Sequence, residues 1–234
     1  MGSSASVPHD SPGGVIAREV LAHVASLALF PFGIGRTKKR TVRRKDQRTI
    51  VLVHGYLANS SYFFPLRSYL WVSGFRQILS FNYQSSIGIE KSARELRKFL
   101  QHHVRGGRID LVCHSLGGLI ARFYVQELGG ARRVDRCITL GTPHQGTYNA
   151  YWIPSRVGRE LRPESDLLHR LNSSKAEKER VKYTSIVGES DNIVLPRSHG
   201  IYPPDKVVIP KVGHLGVLFA PSTFQTVAQR LCEE

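Results

Sequence analysis

Three residues whose types can cooperate in catalysis occur in the order Ser115, Asp191, His214, each shortly after an apolar run. A serine hydroxyl is a weak nucleophile until a base takes its proton, and a histidine base works best when a carboxylate orients its ring. Ser115 lies in DLVCHSLGG, Asp191 in GESDNIV and His214 in PKVGHLGVLF. Such a trio suits covalent acyl transfer, in which the serine carries the acyl group. Glu189 is the nearest rival for the acid and His199 for the base. His114 adjoins Ser115, and a sharp turn at Ser115 is expected to direct it away. His102 and His103 close an exposed helix.

The elements that must position these residues follow from hydrophobic periodicity. Short β-branched runs fall at 49–54, 76–81, 108–113, 134–140, 182–188 and 206–210. Helical patterns lie between them, the clearest with Ile89, Ala93, Leu96, Leu100 and Val104 on one face. This alternation predicts an α/β fold of about six parallel strands flanked by helices. In a parallel sheet the C-terminal strand ends share one edge, the usual ligand edge. Ser115, Asp191 and His214 each follow such an end, so the topology alone should bring them together. Residues 49–234 are expected to form one catalytic domain without internal repeats. The one segment long enough for a small cap lies near 141–181, and it carries Tyr148, Tyr151 and Trp152 among basic residues.

The strand, Ser115 and the glycines that open the next helix resemble the nucleophile elbow of α/β-hydrolases, usually G-x-S-x-G. Gly117 fits that pattern, and Cys113 stands where the first glycine is usual. With VHGYLANSSYF, VCHSLGGLIARFYVQELGG, TLGTPHQGT, LRPESDLLHRLN, GESDNIV and KVGHLGVLF, the chain resembles bacterial triacylglycerol lipases and esterases over roughly residues 49–231. The resemblance implies an α/β-hydrolase fold and cleavage of carboxylic esters of fatty acids without a cofactor. It implies triad roles for Ser115, Asp191 and His214, and oxyanion donors at the backbone N–H groups of Tyr56 and Leu116. His54, His144 and Trp152 are the candidates for lining the substrate site. The same trio would also serve a thioesterase, an acyltransferase or a GPI-inositol-deacylase-like enzyme, and an idle hydrolase fold could act as a tethered binding module.

Lys and Arg number 33 against 18 Asp and Glu, a formal charge of +15. The run RTKKRTVRRKDQR at 36–48 holds eight basic residues and one acidic, so nearly half of the excess sits in thirteen positions. An anionic membrane surface suits such a run. Nucleic acid is not expected, because no zinc-finger, helix-turn-helix or aromatic RNA-stacking signature accompanies it. Before it, residues 15–34 are mostly apolar, with Glu19, His23 and Ser26 spaced along one helical line. Residues 1–48 are therefore read as an N-terminal apolar helix and basic segment, serving either as a surface anchor or as a packed arm. Positive charge follows the apolar run, the reverse of a secretory signal, so a cytoplasmic or membrane-associated protein is expected. Cys113, Cys137 and Cys232 lack the spacing of a disulfide framework or a metal site.

Overall fold

In β1 (Thr49–Val53), alternate side chains serve opposite faces of a sheet. Val51 and Val53 join one apolar cluster, while Ile50 and Leu52 join another. Every residue of this strand is buried, which is why it reads as an unbroken apolar run rather than an alternating one. A computed structural model describes residues 12–33, 48–173, 180–200, 202 and 205–233. The basic residues 36–47 lie outside that set.

The chain proceeds through α1 (Pro12–Leu29), β1, α2 (Phe64–Val72), β2 (Ile78–Phe81), α3 (Ile89–His103), β3 (Ile109–His114) and α4 (Leu116–Glu127). It continues through β4 (Val134–Leu140), α5 (Arg156–Glu160), α6 (Asp166–Ser173), β5 (Lys182–Gly188), β6 (Asp205–Ile209) and α7 (Pro221–Cys232). The six strands form one parallel sheet in the order β2-β1-β3-β4-β5-β6. The expected strands are all present, with ends displaced by at most two residues.

One face of the sheet is covered by α3 and α4. Ile89, Ala93, Leu96 and Leu100 of α3 are wholly buried there, together with Leu111 and Cys113 of β3 and Cys137 of β4. The other face is covered by α2 and α7, where Leu66, Leu70, Val227 and Leu231 meet Val112, Ile138 and Ile186. Within 141–181, Ala150, Val157, Leu161, Leu168 and Leu171 belong to the α3/α4 cluster, so the described part of the expected cap packs its apolar side onto the main core. Its polar ties run to α4, whose buried Arg122 donates to the carbonyl of Leu171 and the side chain of Asn172.

α1 is docked with the opposite polarity to an ordinary surface helix. Its covered face carries Ala22 and Ser26, with Glu19 half-buried, whereas Ile16, Val20, Leu21, Val24 and Leu27 stand exposed. Of the expected polar line, Glu19 and Ser26 turn inward and His23 outward. Two side chains tie the following turn to the domain: Asn59 donates to the carbonyl of Phe30, and Asn82 to that of Gly33.

Candidate active site

Ser115 occupies the sharp turn between β3 and α4 with φ 51° and ψ −123°, a conformation that L residues rarely adopt. The turn is fixed on both sides: Ser115 N–H donates to the carbonyl of Leu140, and its own carbonyl accepts from Gly118 N–H and Thr142 Oγ1. Glycine at 117 is a requirement of space. A Cβ there would sit 2.4 Å from the carbonyl oxygen of Val53 and 2.6 Å from that of His54. Those atoms are backbone, so α4 could approach the end of β1 no other way. Cys113, where the common pattern has glycine, is buried within the α3/α4 cluster and obstructs nothing.

The His214 and Asp191 side chains meet at this turn from the loops after β6 and β5. His214 Nε2 lies 3.0 Å from Ser115 Oγ, and His214 Nδ1 lies 2.8 Å from Asp191 Oδ2. An ionised carboxylate only accepts, so Nδ1 carries the proton and Nε2 is the acceptor facing the hydroxyl. Asp191 Oδ1 accepts from the N–H groups of Ile193 and Val194, at 2.8 and 2.9 Å. Burial pushes the Asp191 carboxyl upward, but the His214 contact and these two amides outweigh it and hold the group below the usual carboxylate range. The pair rides over Gly141 (φ 58°), where a Cβ would stand 3.2 Å from His214 Nδ1. The rivals lie elsewhere: Glu189 accepts from Lys211 N–H, and His199 contacts the carbonyl of Gly146.

The turn after β1 presses against the same serine. A Cβ on Gly55 would meet Ser115 Cβ at 3.0 Å. Leu57 adopts φ 52° and its N–H is taken by Ser85 Oγ. The backbone N–H groups of Tyr56 and Leu116 find no acceptor among the described residues. Tyr56 follows the glycine that presses on Ser115, and Leu116 follows Ser115 itself in the chain.

Two of the expected substrate-lining residues prove to be internal. His54 is buried, donates from Nδ1 to the carbonyl of Gly55, accepts from Tyr83 N–H at Nε2 and stacks on the Tyr83 ring. His144 is wholly buried between Thr139 Oγ1, at 2.9 Å from Nε2, and Arg122, at 3.3 Å from Nδ1. Both rings are spent on the core, leaving no nitrogen for a substrate. Burial lowers the His54 pKa to about 4, only partly offset by the Gly55 carbonyl. Burial, with Arg122 beside it, holds His144 well below the ordinary value. Trp152 is 86% exposed at the end of the turn 148–152. Asn149 of that turn donates to the carbonyls of Asn192 and Ile193, so the turn adjoins the Asp191 loop.

His114 differs from expectation in the other direction. It stays beside the trio, its Nε2 reaching the carbonyl of His214 at 3.1 Å and its ring 4.9 Å from the His214 ring. Burial, with His214 nearby, lowers its pKa to about 3. It supports the His214 backbone as a neutral ring. Sequence reasoning also missed Glu19, whose carboxylate accepts from the N–H groups on either side of His214. The only signal was the pair of glycines at 213 and 216. Among the described residues, no three His, Cys, Asp or Glu side chains are grouped to hold a metal ion.

The model of one protein family, a domain of unknown function (DUF7379), matches residues 13–151, more than half of the chain. The chain belongs to the DUF7379 family. The match runs from α1 through the turn that carries Tyr151, and so includes Glu19, Tyr56 and Ser115. Among solved structures, the mature lipase BlEst2 of Bacillus licheniformis is similar at 18% identity and a TM-score of 0.67, over 82% of this chain and 96% of that one. The phospholipase PlaB of Legionella pneumophila is 13% identical, with a TM-score of 0.66 over 80% of this chain and 60% of that one. The methylesterase MES16 of Arabidopsis is 15% identical, with a TM-score of 0.57 over 79% of this chain and 99% of that one. With the parallel six-stranded sheet, these likenesses establish the α/β-hydrolase fold.

Proposed function

We propose that this member of the DUF7379 family is a serine hydrolase of carboxylic esters. The observation that carries the reading is the hydrogen-bonded line from Ser115 Oγ through His214 to Asp191, set on a strained strand-to-helix turn. Ser115 Oγ attacks the ester carbonyl carbon while its proton passes to His214 Nε2. The former carbonyl oxygen takes the negative charge and is met by the N–H groups of Tyr56 and Leu116. Collapse breaks the bond to the leaving alkoxide, which receives the proton from His214. Water then attacks the acyl-serine with His214 as base, releasing the acid and restoring Ser115. Asp191 stays ionised and stabilises the imidazolium. The similar folds named lipase, phospholipase and methylesterase support ester chemistry, and long-chain acyl esters are the substrate class proposed.

The test is reaction with a fluorophosphonate probe, followed by peptide mapping, beside hydrolysis of p-nitrophenyl esters from butyrate to palmitate. The expected label falls on Ser115, with ester turnover. A well-folded protein that neither labels nor hydrolyses any ester overturns the reading. Thioester cleavage in place of oxygen-ester cleavage would move the substrate while keeping the mechanism.

The second element of the proposal is an anionic lipid surface as the partner of residues 15–48. It is supported by the outward apolar face of α1, with Leu21 68% and Leu27 69% exposed, and by the basic run that follows. Exposed apolar patches beside positive charge favour a bilayer bearing negative headgroups. Co-sedimentation with phosphatidylglycerol vesicles is expected to exceed that with phosphatidylcholine vesicles. It is expected to fall at least tenfold for the triple variant Leu21→Asn, Val24→Asn, Leu27→Asn. Equal binding by variant and parent would exclude α1 as the contact.

A further inference from the structure

We infer that Glu19, on the N-terminal helix, is a positioning residue for His214, so that the helix is a working part of the proposed active site rather than an appendage. The inference rests on the serine-hydrolase reading of the Ser115 site. One Glu19 oxygen accepts from Gly213 N–H at 2.9 Å and from Gly216 N–H at 2.8 Å, and the other accepts from Leu215 N–H at 3.3 Å. These three amides bracket His214 in the chain. A carboxylate drawing in three N–H groups of one loop makes charge-assisted bonds, stronger than neutral ones, and fixes the loop's backbone.

The glycines on this loop are shaped to admit the carboxylate. A Cβ at 213 would lie 2.5 Å from Glu19 Cδ, and one at 216 would lie 2.3 Å from Glu19 Oε1. Neither glycine has a positive φ, so space for Glu19 is the requirement that remains. From the other side His114 holds the His214 carbonyl. The backbone of His214 is thus gripped at its carbonyl by the residue preceding Ser115 and through its neighbours' amides by Glu19.

Glu19 adds a polar contact to the packing of Ala22 and Ser26 on this side of α1. Beside this contact an open apolar groove of about 640 Å³ runs between the helix and residues 210–222, lined by Leu21, Ala22, Ala25, Val212 and Phe219. Of the bonds from α1 to this segment, which include Arg18 to the carbonyl of Lys211, those of Glu19 are the ones that meet the residues flanking His214. Reaction requires His214 Nε2 to stay within hydrogen-bond reach of Ser115, and a displacement of about 1 Å is enough to cost about a hundredfold in rate.

The test compares Glu19→Gln and Glu19→Ala with the parent full-length chain on p-nitrophenyl butyrate, a soluble ester that needs no bilayer. Glutamine keeps the size of the side chain but turns one acceptor into a donor facing an N–H. The expected result is a kcat, per folded protein, lowered about tenfold to a hundredfold in both variants, with KM within twofold and the chain still folded at the assay temperature despite a lower unfolding midpoint. Fluorophosphonate labelling of Ser115 should slow in step. The His214 imidazole resonance should shift while those of His54 and His144 stay in place. Parent-like kcat in the glutamine variant overturns the inference, as does a loss of rate that tracks only a loss of folded protein. An inactive parent that takes no fluorophosphonate overturns the hydrolase reading and the inference together. An active parent with an indifferent Glu19 overturns the inference alone.

Discussion

Ser115→Ala is expected to lower kcat for the best p-nitrophenyl ester by about a millionfold, and Asp191→Asn by about ten-thousandfold, with KM changed little in either. The two losses differ because the residues act at different removes from the carbonyl. Alanine at 115 takes away the atom that bonds to carbon, leaving only the oxyanion donors and binding to assist water. Asparagine at 191 leaves Ser115 in place but removes the charge that stabilises the imidazolium. It can also offer an N–H toward His214 Nδ1, which then carries no proton, so that Nε2 is protonated and ceases to accept from Ser115. The fold should survive this change, because an amide oxygen can still accept from Ile193 and Val194 N–H. A double variant no slower than Ser115→Ala is the companion expectation, since the residues act as a unit. Additive losses in the double variant, or near-parent activity in Asp191→Asn, would contradict the proposed line of proton transfer.

The strands were legible because their signal is local. Both faces of the sheet are covered, so TIVLV at 49–53 and the runs that pair with it, ILSF and IDLVCH, are buried along their whole length and mostly apolar. The meeting of Ser115, His214 and Asp191 was legible for a topological reason: parallel strands deliver their C-terminal ends to one edge. Residues whose meaning depends on distant partners were not. Nothing in GTPHQGT tells that the ring of His144 faces Arg122, twenty-two positions earlier, rather than a substrate. Likewise HGY does not disclose that Tyr83 stacks on His54. α1 was undecided for the same reason. Its spacing left open which face would be covered; Glu19 turns inward, where three amides of the His214 loop receive its carboxylate, and the apolar residues are left outside.

Acidification from pH 7 to pH 5 is expected to lower folding stability by about 2–4 kcal/mol, a sizeable share of the 5–15 kcal/mol typical of a domain. Three buried histidines drive it. His54, His114 and His144 are neutral in the folded chain, the first two titrating at about 4 and about 3, and all three are pushed down chiefly by burial. In the unfolded chain each titrates near its ordinary value of about 6.5. A folded pKa below the unfolded one means stability that is fully present above about pH 6.5. It is lost as the pH falls toward the folded values, because unfolding takes up protons. His54 and His114 then cost about 2 kcal/mol each by pH 5, and His144 acts in the same direction. The buried carboxyl of Asp110, pushed up to about 7 chiefly by desolvation, opposes them, because the folded chain holds its proton and gains about 2 kcal/mol by pH 5. Asp191, held low, acts in the direction of the histidines but only below about pH 4, so it stays out of this window. Urea unfolding followed at pH 7, 6 and 5 reads the slope directly. A free energy that stays flat over that range would mean the three rings gain their protons within the folded protein, and the internal roles assigned to His54 and His144 would fall with it.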